Sequence, residues 1–281
     1  MTSIDPDLRI RSVHLGVSDL DRSTDFYEHT LGLPLIARER DGASLGPDPQ
    51  APALQLHAIA DPTPTPVCAT GLFHVAWLHP TRADLAASLR RVTRAGWPFE
   101  GASDHGVSEA LYLSDPDGLG IELYADRPRE QWQRAPDGHR VAMVTQPLDL
   151  DDLLAQSSDE PTPTVAPGTV VGHVHLKVSD VGRAASFYRD ALGMDEQATL
   201  PSAAFLSAGG YHHHIGLNSW QSQGAGPAPD SAPGLRLIEF ELGGRGAVDT
   251  LAAELGAPAR RDDGGLLLSD PDGDALAFSA H

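Results

Sequence analysis

The sequence predicts an α+β chain made of four βαβββ units in two tandem domains. The first observation is a duplication. Val13-His14-Leu15-Gly16-Val17-Ser18-Asp19-Leu20 leads to Phe26-Tyr27 and Leu31-Gly32, while Val174-His175-Leu176-Lys177-Val178-Ser179-Asp180-Val181 leads to Phe187-Tyr188 and Leu192-Gly193. The endings match as well: Ser114-Asp115-Pro116-Asp117-Gly118 recurs as Ser269-Asp270-Pro271-Asp272-Gly273. The second observation is that strand, helix and several short strands follow one another twice within each copy.

Each element has its own signal. Residues 9–17 alternate apolar and polar and read as a strand. Ser18 or Asp19 can cap a helix from Leu20 to about Thr30, which Gly32 ends. Residues 34–60 read as short strands broken by glycine and proline. Leu72 to Leu78 is a second leading strand. Thr81 to Ala95 follows as an amphipathic helix, with Leu85, Leu89 and Val92 on one face. Strands at 108–113 and 120–125 flank the Asp-Pro-Asp-Gly turn. The other copy repeats the order: strand 170–178, helix 181–191, strands within 195–218, strand 235–242, helix 247–255 and a hairpin at 264–279. The domains expected are residues 1–127 and 169–281, each of two units. The linker 128–168 is rich in Pro, Asp and Ser, with one short helix at Leu148 to Leu154 and a flexible stretch from Gln156 to Pro167.

Composition narrows the function classes. The chain has 281 residues, a formal charge of -19 and one cysteine. That acidity repels phosphate backbones and argues against nucleic-acid binding. Its bland reading is solubility, and a salt-adapted cytoplasm is the alternative. No apolar run approaches the roughly 18–20 residues of a membrane span, and the N-terminus has no signal-peptide pattern. One cysteine, Cys68, precludes an intrachain disulfide, which fits a cytoplasmic location.

The opening motif, Gly71-Leu72-Phe73-His74-Val75 and the Asp-Pro-Asp-Gly-x-x-Ile-Glu-Leu ending at 115–123 together resemble the vicinal-oxygen-chelate superfamily of glyoxalases, bleomycin-resistance proteins and type I extradiol dioxygenases. The resemblance covers nearly the whole chain. Gly209-Gly210-Tyr211-His212-His213-His214-Ile215-Gly216-Leu217-Asn218 is most similar to the bacterial catechol 2,3-dioxygenase-like branch. It implies mixed sheets curled around a cleft, with metal ligands on the first and last strands of the units.

Carried over residue by residue, the resemblance implies His14, His74 and Glu122 as metal ligands, all in the N-terminal domain. Two imidazoles and one carboxylate suit Fe(II) or Mn(II) and leave positions for a diol and O2. In the other copy His175 matches His14, but Leu237 stands opposite His74 and Ala277 opposite Glu122. That site therefore reads as degenerate. The His212-His213-His214 run, with His175 and Glu239, could build a nonstandard site or a structural cluster.

Three further residues are candidate catalytic groups. Tyr112, whose counterpart is Leu267, could hold a substrate oxygen. His105 could be a proton donor or bind substrate. His57 could be an acid–base, or a core or surface residue. His79 and His29 read as surface residues. The expected activity is extradiol cleavage of a catechol-like or hydroquinone-like aromatic with O2, with homo-oligomer formation left open. The alternatives are a glyoxalase-like isomerase or thiol transferase, favoured if Gln55 supplies a fourth ligand, and a non-catalytic binding protein.

Overall fold

The computed structural model describes residues 3–135, 140–142, 144–158, 160, 162–256, 260–262 and 265–281. Unit one is β1 (Arg9–Val17), α1 (Leu20–Asp25), β2 (Leu35–Arg38), β3 (Gly42–Leu45) and β4 (Leu54–Ala58). Unit two is β5 (Gly71–His79), α2 (Arg82–Arg94), β6 (Gly101–Asp104), β7 (Ser108–Ser114) and β8 (Gly120–Asp126). The connection carries β9 (Gln146–Pro147) and the short helix α3 (Leu150–Leu154), close to the span the sequence predicts. Part of the flexible stretch expected there lies outside the described residues. Unit three is β10 (Val170–Lys177), α4 (Val181–Ser186), β11 (Asp195–Leu200), β12 (Ala203–Ser207) and β13 (Ile215–Asn218). Unit four is β14 (Gly234–Leu242), α5 (Arg245–Leu255), β15 (Arg260–Asp262), β16 (Gly265–Ser269) and β17 (Ala275–Ala280).

Local chemistry sets the duplicated openings. Asp19 caps α1 by accepting from the Arg22 N–H, and Asp180 caps α4 by accepting from the Arg183 N–H. Both helices then widen into a π turn, Phe26–Thr30 in one and Phe187–Ala191 in the other. The tyrosine of each π turn donates to the first aspartate of an Asp-Pro-Asp-Gly turn. Tyr27 reaches Asp115 at 3.1 Å, and Tyr188 reaches Asp270 at 3.2 Å. Each aspartate also accepts backbone N–H groups within its own turn, which fixes the turn. This clamp ties unit one to unit two, and unit three to unit four.

The sheets connect the units differently. One sheet has the order β15-β16-β17-β14-β1-β4-β3-β2, and the other β11-β12-β13-β10-β5-β8-β7-β6-β9. Unit one therefore shares a sheet with unit four, and unit two with unit three. The expected domains, residues 1–127 and 169–281, each contribute one unit to each sheet. The reason is the seam: β1 pairs antiparallel with β14, and β5 with β10. Apolar side chains from all four units, among them Leu15, Tyr27, Leu85, Tyr188 and Phe240, form one continuous buried core. Among the described residues no helix is long and apolar enough to cross a membrane.

Candidate active site

The seam between β5 and β10 builds the site. Val75 pairs with Val174, His74 with His175 and Ala76 with His173. Because the strands are antiparallel, a local two-fold axis at Val75 and Val174 carries His74 onto His173. Side chains alternate along a strand, so these two histidines project from the same face. Ala76 also pairs with Glu122 on the neighbouring parallel strand β8, which brings the carboxylate to the same place.

The three ligand atoms form a triangle. His74 Nε2 lies 2.9 Å from Glu122 Oε2, His173 Nε2 lies 3.2 Å from the same oxygen, and the two Nε2 atoms are 3.4 Å apart. Donors about 2.1 Å from one divalent ion, at adjacent coordination positions, are spaced about 3.0–3.4 Å apart, so these residues can hold a single ion. Among the described residues this is the one group of three His, Cys, Asp or Glu side chains whose ligand atoms all lie within 4.8 Å of one another. All three residues are buried. Burial alone would raise the Glu122 pKa, but the charges of and hydrogen bonds from His173 and His74 outweigh it and hold the carboxyl well below its usual range. His173 is lowered to about 4, chiefly by burial, so at neutral pH it offers a lone pair.

The local symmetry also defines a fourth position. His175 is the equivalent of Ala76, and it pairs with Gly216 on β13 just as Ala76 pairs with Glu122. Gly216 has no side chain to offer. A Cβ there would lie 2.9 Å from the His175 ring, so the neighbouring histidine fills the space a fourth ligand would need. The group is therefore three-sided.

Its open side faces a cavity of about 410 Å³ lined by Phe73, Tyr112, His105, His213, Phe205 and Trp220 among others. Val144 O accepts from His105 Nδ1 at 2.8 Å, so in the neutral ring Nε2 accepts from the Tyr112 hydroxyl at 2.7 Å. The Tyr112 pKa is raised by burial and by the Glu122 carboxylate, which keeps the phenol protonated. A parallel chain fixes His213. Asp126 accepts from His212 Nε2 at 2.9 Å, and the two Nδ1 atoms of His212 and His213 are 2.7 Å apart. His212 then accepts from His213, which leaves His213 Nε2 as the lone-pair nitrogen. Burial, followed by the nearby histidines, lowers the His213 pKa well below its usual value.

The structure brings together His74, Glu122, Tyr112 and His105 of the sequence-predicted set. It does not bring His14 or His57 to them. His14 lies on β1 in the other sheet, where its Nδ1 is 3.0 Å from His57 Nε2 and its Nε2 is 3.3 Å from Glu239. Gln55, the proposed fourth ligand, is on the same sheet and accepts from the Ser44 hydroxyl at 2.6 Å. The three-histidine run occupies the turn between β12 and β13 rather than a strand, and its side chains are buried. His79, expected at the surface, is buried beneath α2 with a pKa lowered to about 3, by burial and then Arg91. His29 is exposed as expected.

His173 is the residue the sequence reading passed over. Matching His14 with His175 selects the second histidine of His173-Val174-His175. The pattern His74-Val75-Ala76-Trp77 instead matches His173-Val174-His175-Leu176, which would have selected the first. In the first sheet the equivalent positions are Ser12, Leu237 and Ala277, with Gln55 at the fourth, so the expected losses at Leu237 and Ala277 belong to that sheet.

Comparison with known proteins supports the fold and the repeat. The chain is 42% identical over 255 residues to the catechol-2,3-dioxygenase of Bacillus subtilis (strain 168), covering 90% of this chain and 89% of that one. Among solved structures, a protein of Bacillus subtilis superposes with a TM-score of 0.64 at 14% identity, covering 99% of this chain and 86% of that one. Glyoxalase I from Zea mays superposes with a TM-score of 0.57 at 20% identity, covering 97% and 92%. Residues 9–123 and 170–273 match the model of one family, and on that match the chain belongs to the Glyoxalase/Bleomycin resistance protein/Dioxygenase superfamily.

Proposed function

We propose that the chain is an extradiol dioxygenase that opens a catechol-like ring with O2, at a divalent ion held by His74, His173 and Glu122. The observation that carries this reading is the three-sided ligand group with glycine at its fourth position, open to an aromatic-lined cavity. A diol and O2 need adjacent free positions on the metal, and a fourth protein ligand would take one. The relative named catechol-2,3-dioxygenase supports the same chemistry. A glyoxalase-like isomerisation is the second reading, and the lack of a fourth side chain at Gly216 weighs against it.

When bound, Fe(II) or Mn(II) would dock the diol oxygens and carry electrons from the ring to O2. The residues of the chain supply the rest. The Tyr112 hydroxyl, its own proton given to His105, accepts a hydrogen bond from a substrate hydroxyl. His213, with its free lone pair, takes a proton from the diol and returns it as the ring opens. Phe73, Phe205 and Trp220 exclude water from the ring. Atoms balance with O2 alone: the C–C bond beside the diol breaks and each severed carbon gains one oxygen. One carbon leaves as a carboxylate and the other as an aldehyde.

The test is oxygen uptake by anaerobically loaded ferrous or manganous protein. Catechol should consume one O2 per ring and give a yellow semialdehyde. Tyr112→Phe should keep its metal and turn over roughly two- to tenfold slower, the loss of one hydrogen bond accepted from the diol. No O2 uptake across catechols and hydroquinones, with isomerisation of methylglyoxal–thiol adducts, would replace this reading with the glyoxalase-like one.

A further inference from the structure

Six large hydrophobic side chains are exposed among the described residues, and three of them, Val144 (40%), Leu200 (56%) and Trp220 (54%), line the cavity above His74 and Glu122. Exposed apolar surface on a monomer is costly in water, and its concentration at the rim of one cavity marks a place where something apolar docks. Trp220 is a fixed wall. Its indole N–H donates to Ser202 Oγ at 3.1 Å, and its ring stands edge-on to Phe73 with centroids 5.3 Å apart. Phe205 and His175 continue the aromatic surface, their rings 5.7 Å apart.

Size and charge point the same way. A cavity of about 410 Å³ exceeds a lone six-membered ring several-fold, so a dihydroxybenzene at the metal leaves room toward Trp220 and Leu200. No lysine or arginine is among the described residues that line it. Away from the ion that takes the diol, a substrate carboxylate packed against Trp220, Phe205 and Leu200 would lose hydration without meeting a cationic side chain, and the one ionised side chain lining the cavity, Glu122, is itself an anion.

We propose that this cavity selects catechols with an uncharged, apolar substituent, alkyl or aryl, which packs on Trp220, Phe205 and Leu200. The inference rests on the reading of the cavity as a diol site. It goes further by naming what lies beyond the diol: an aromatic or aliphatic group and no acid.

Two arms test it. In the first, kcat/KM is measured for catechol, 4-tert-butylcatechol, 3-phenylcatechol and 3,4-dihydroxybenzoate. The alkyl and aryl catechols should exceed catechol, and the benzoate should fall at least tenfold below it. Trp220→Ala should lower the ratio of 3-phenylcatechol to catechol about tenfold, while Trp220→Phe should keep most of it, since an aromatic stack contributes about a factor of ten. In the second arm, the same diols are titrated anaerobically against the metal-loaded protein. Binding is read as the quenching of tryptophan emission that is lost in Trp220→Phe. If no diol consumes oxygen but 3-phenylcatechol still binds at least tenfold tighter than the benzoate, the ring-cleavage reading fails and the selectivity stands. If the benzoate binds or turns over as well as the neutral diols, or if Trp220→Ala leaves the ratio unchanged, the selectivity is overturned.

Discussion

At the scale of single residues, the decisive feature is one imidazole on each side of a strand seam. His74 and His173 face each other because Val75 and Val174 pair between them, and Glu122 accepts from both. Removing either imidazole leaves two ligands, too few to keep a labile divalent ion. His173→Ala should therefore emerge from dialysis without metal, whereas His14→Ala should retain it. Elemental analysis of the two variants decides the assignment, and metal retained by His173→Ala would overturn it. His74, Glu122 and Tyr112 could be singled out in the sequence because each stands in a strand beside a recognisable turn or motif, and His105 because it stands in the turn between β6 and β7. His173 was not, because two histidines two residues apart share one strand face, and matching by the more similar neighbours chose His175.

At the scale of elements, strong sequence identity and chemistry reside in different places. The repeated Ser-Asp, Phe-Tyr and Asp-Pro-Asp-Gly motifs build helix caps, π turns and the tyrosine–aspartate clamp. Ser18, for example, donates its backbone N–H to Asp117 at 2.8 Å. These motifs made the four units and most strand positions readable. The pairing of strands across the seams was not readable, because the apolar alternation of β1, β5, β10 and β14 fits several partners equally well. Close backbone approach is the other property of these elements. Gly120 opens β8 opposite His74, and a Cβ there would fall 2.1 Å from the Phe73 carbonyl oxygen. Gly120→Ala has to push the ligand-bearing strands apart. It should cost about 1–3 kcal/mol in urea unfolding and weaken metal retention along with it. A stability within a few tenths of a kcal/mol of the parent would contradict that geometry.

At the scale of the whole molecule, buried histidines make stability depend on acidity. His79 and His214 are lowered to about 3 and His173 to about 4, burial being the largest cause in each. An unfolded histidine titrates near 6.5, so between these values the unfolded chain binds protons that the native chain does not. Stability therefore rises with pH through this window, is complete above about 6.5 and is lost on acidification, by about 1.4 kcal/mol per pH unit for each group. Asp115, raised to about 6 by burial, acts in the opposite sense and offsets part of the slope. The contribution of His79 is isolated by difference. In chelator-treated protein, His79→Gln should lose less stability than the parent between pH 6.5 and pH 4.5. Equal losses would mean that His79 is protonated in the native state.

The nested pairing of units has a use for protein engineering. The first sheet presents Ser12, Leu237, Ala277 and Gln55 at the positions where the second presents His173, His74, Glu122 and Gly216. That sheet is a ready scaffold with its chemistry removed. Combining Ser12→His, Leu237→His and Ala277→Glu would install two imidazoles and a carboxylate on strands already held in the required register. Metal content should rise from one ion per chain to two. The added centre would sit beside His57, Glu239 and Arg236 in place of Trp220 and Phe205, a polar environment suited to hydrolytic chemistry in the same polypeptide.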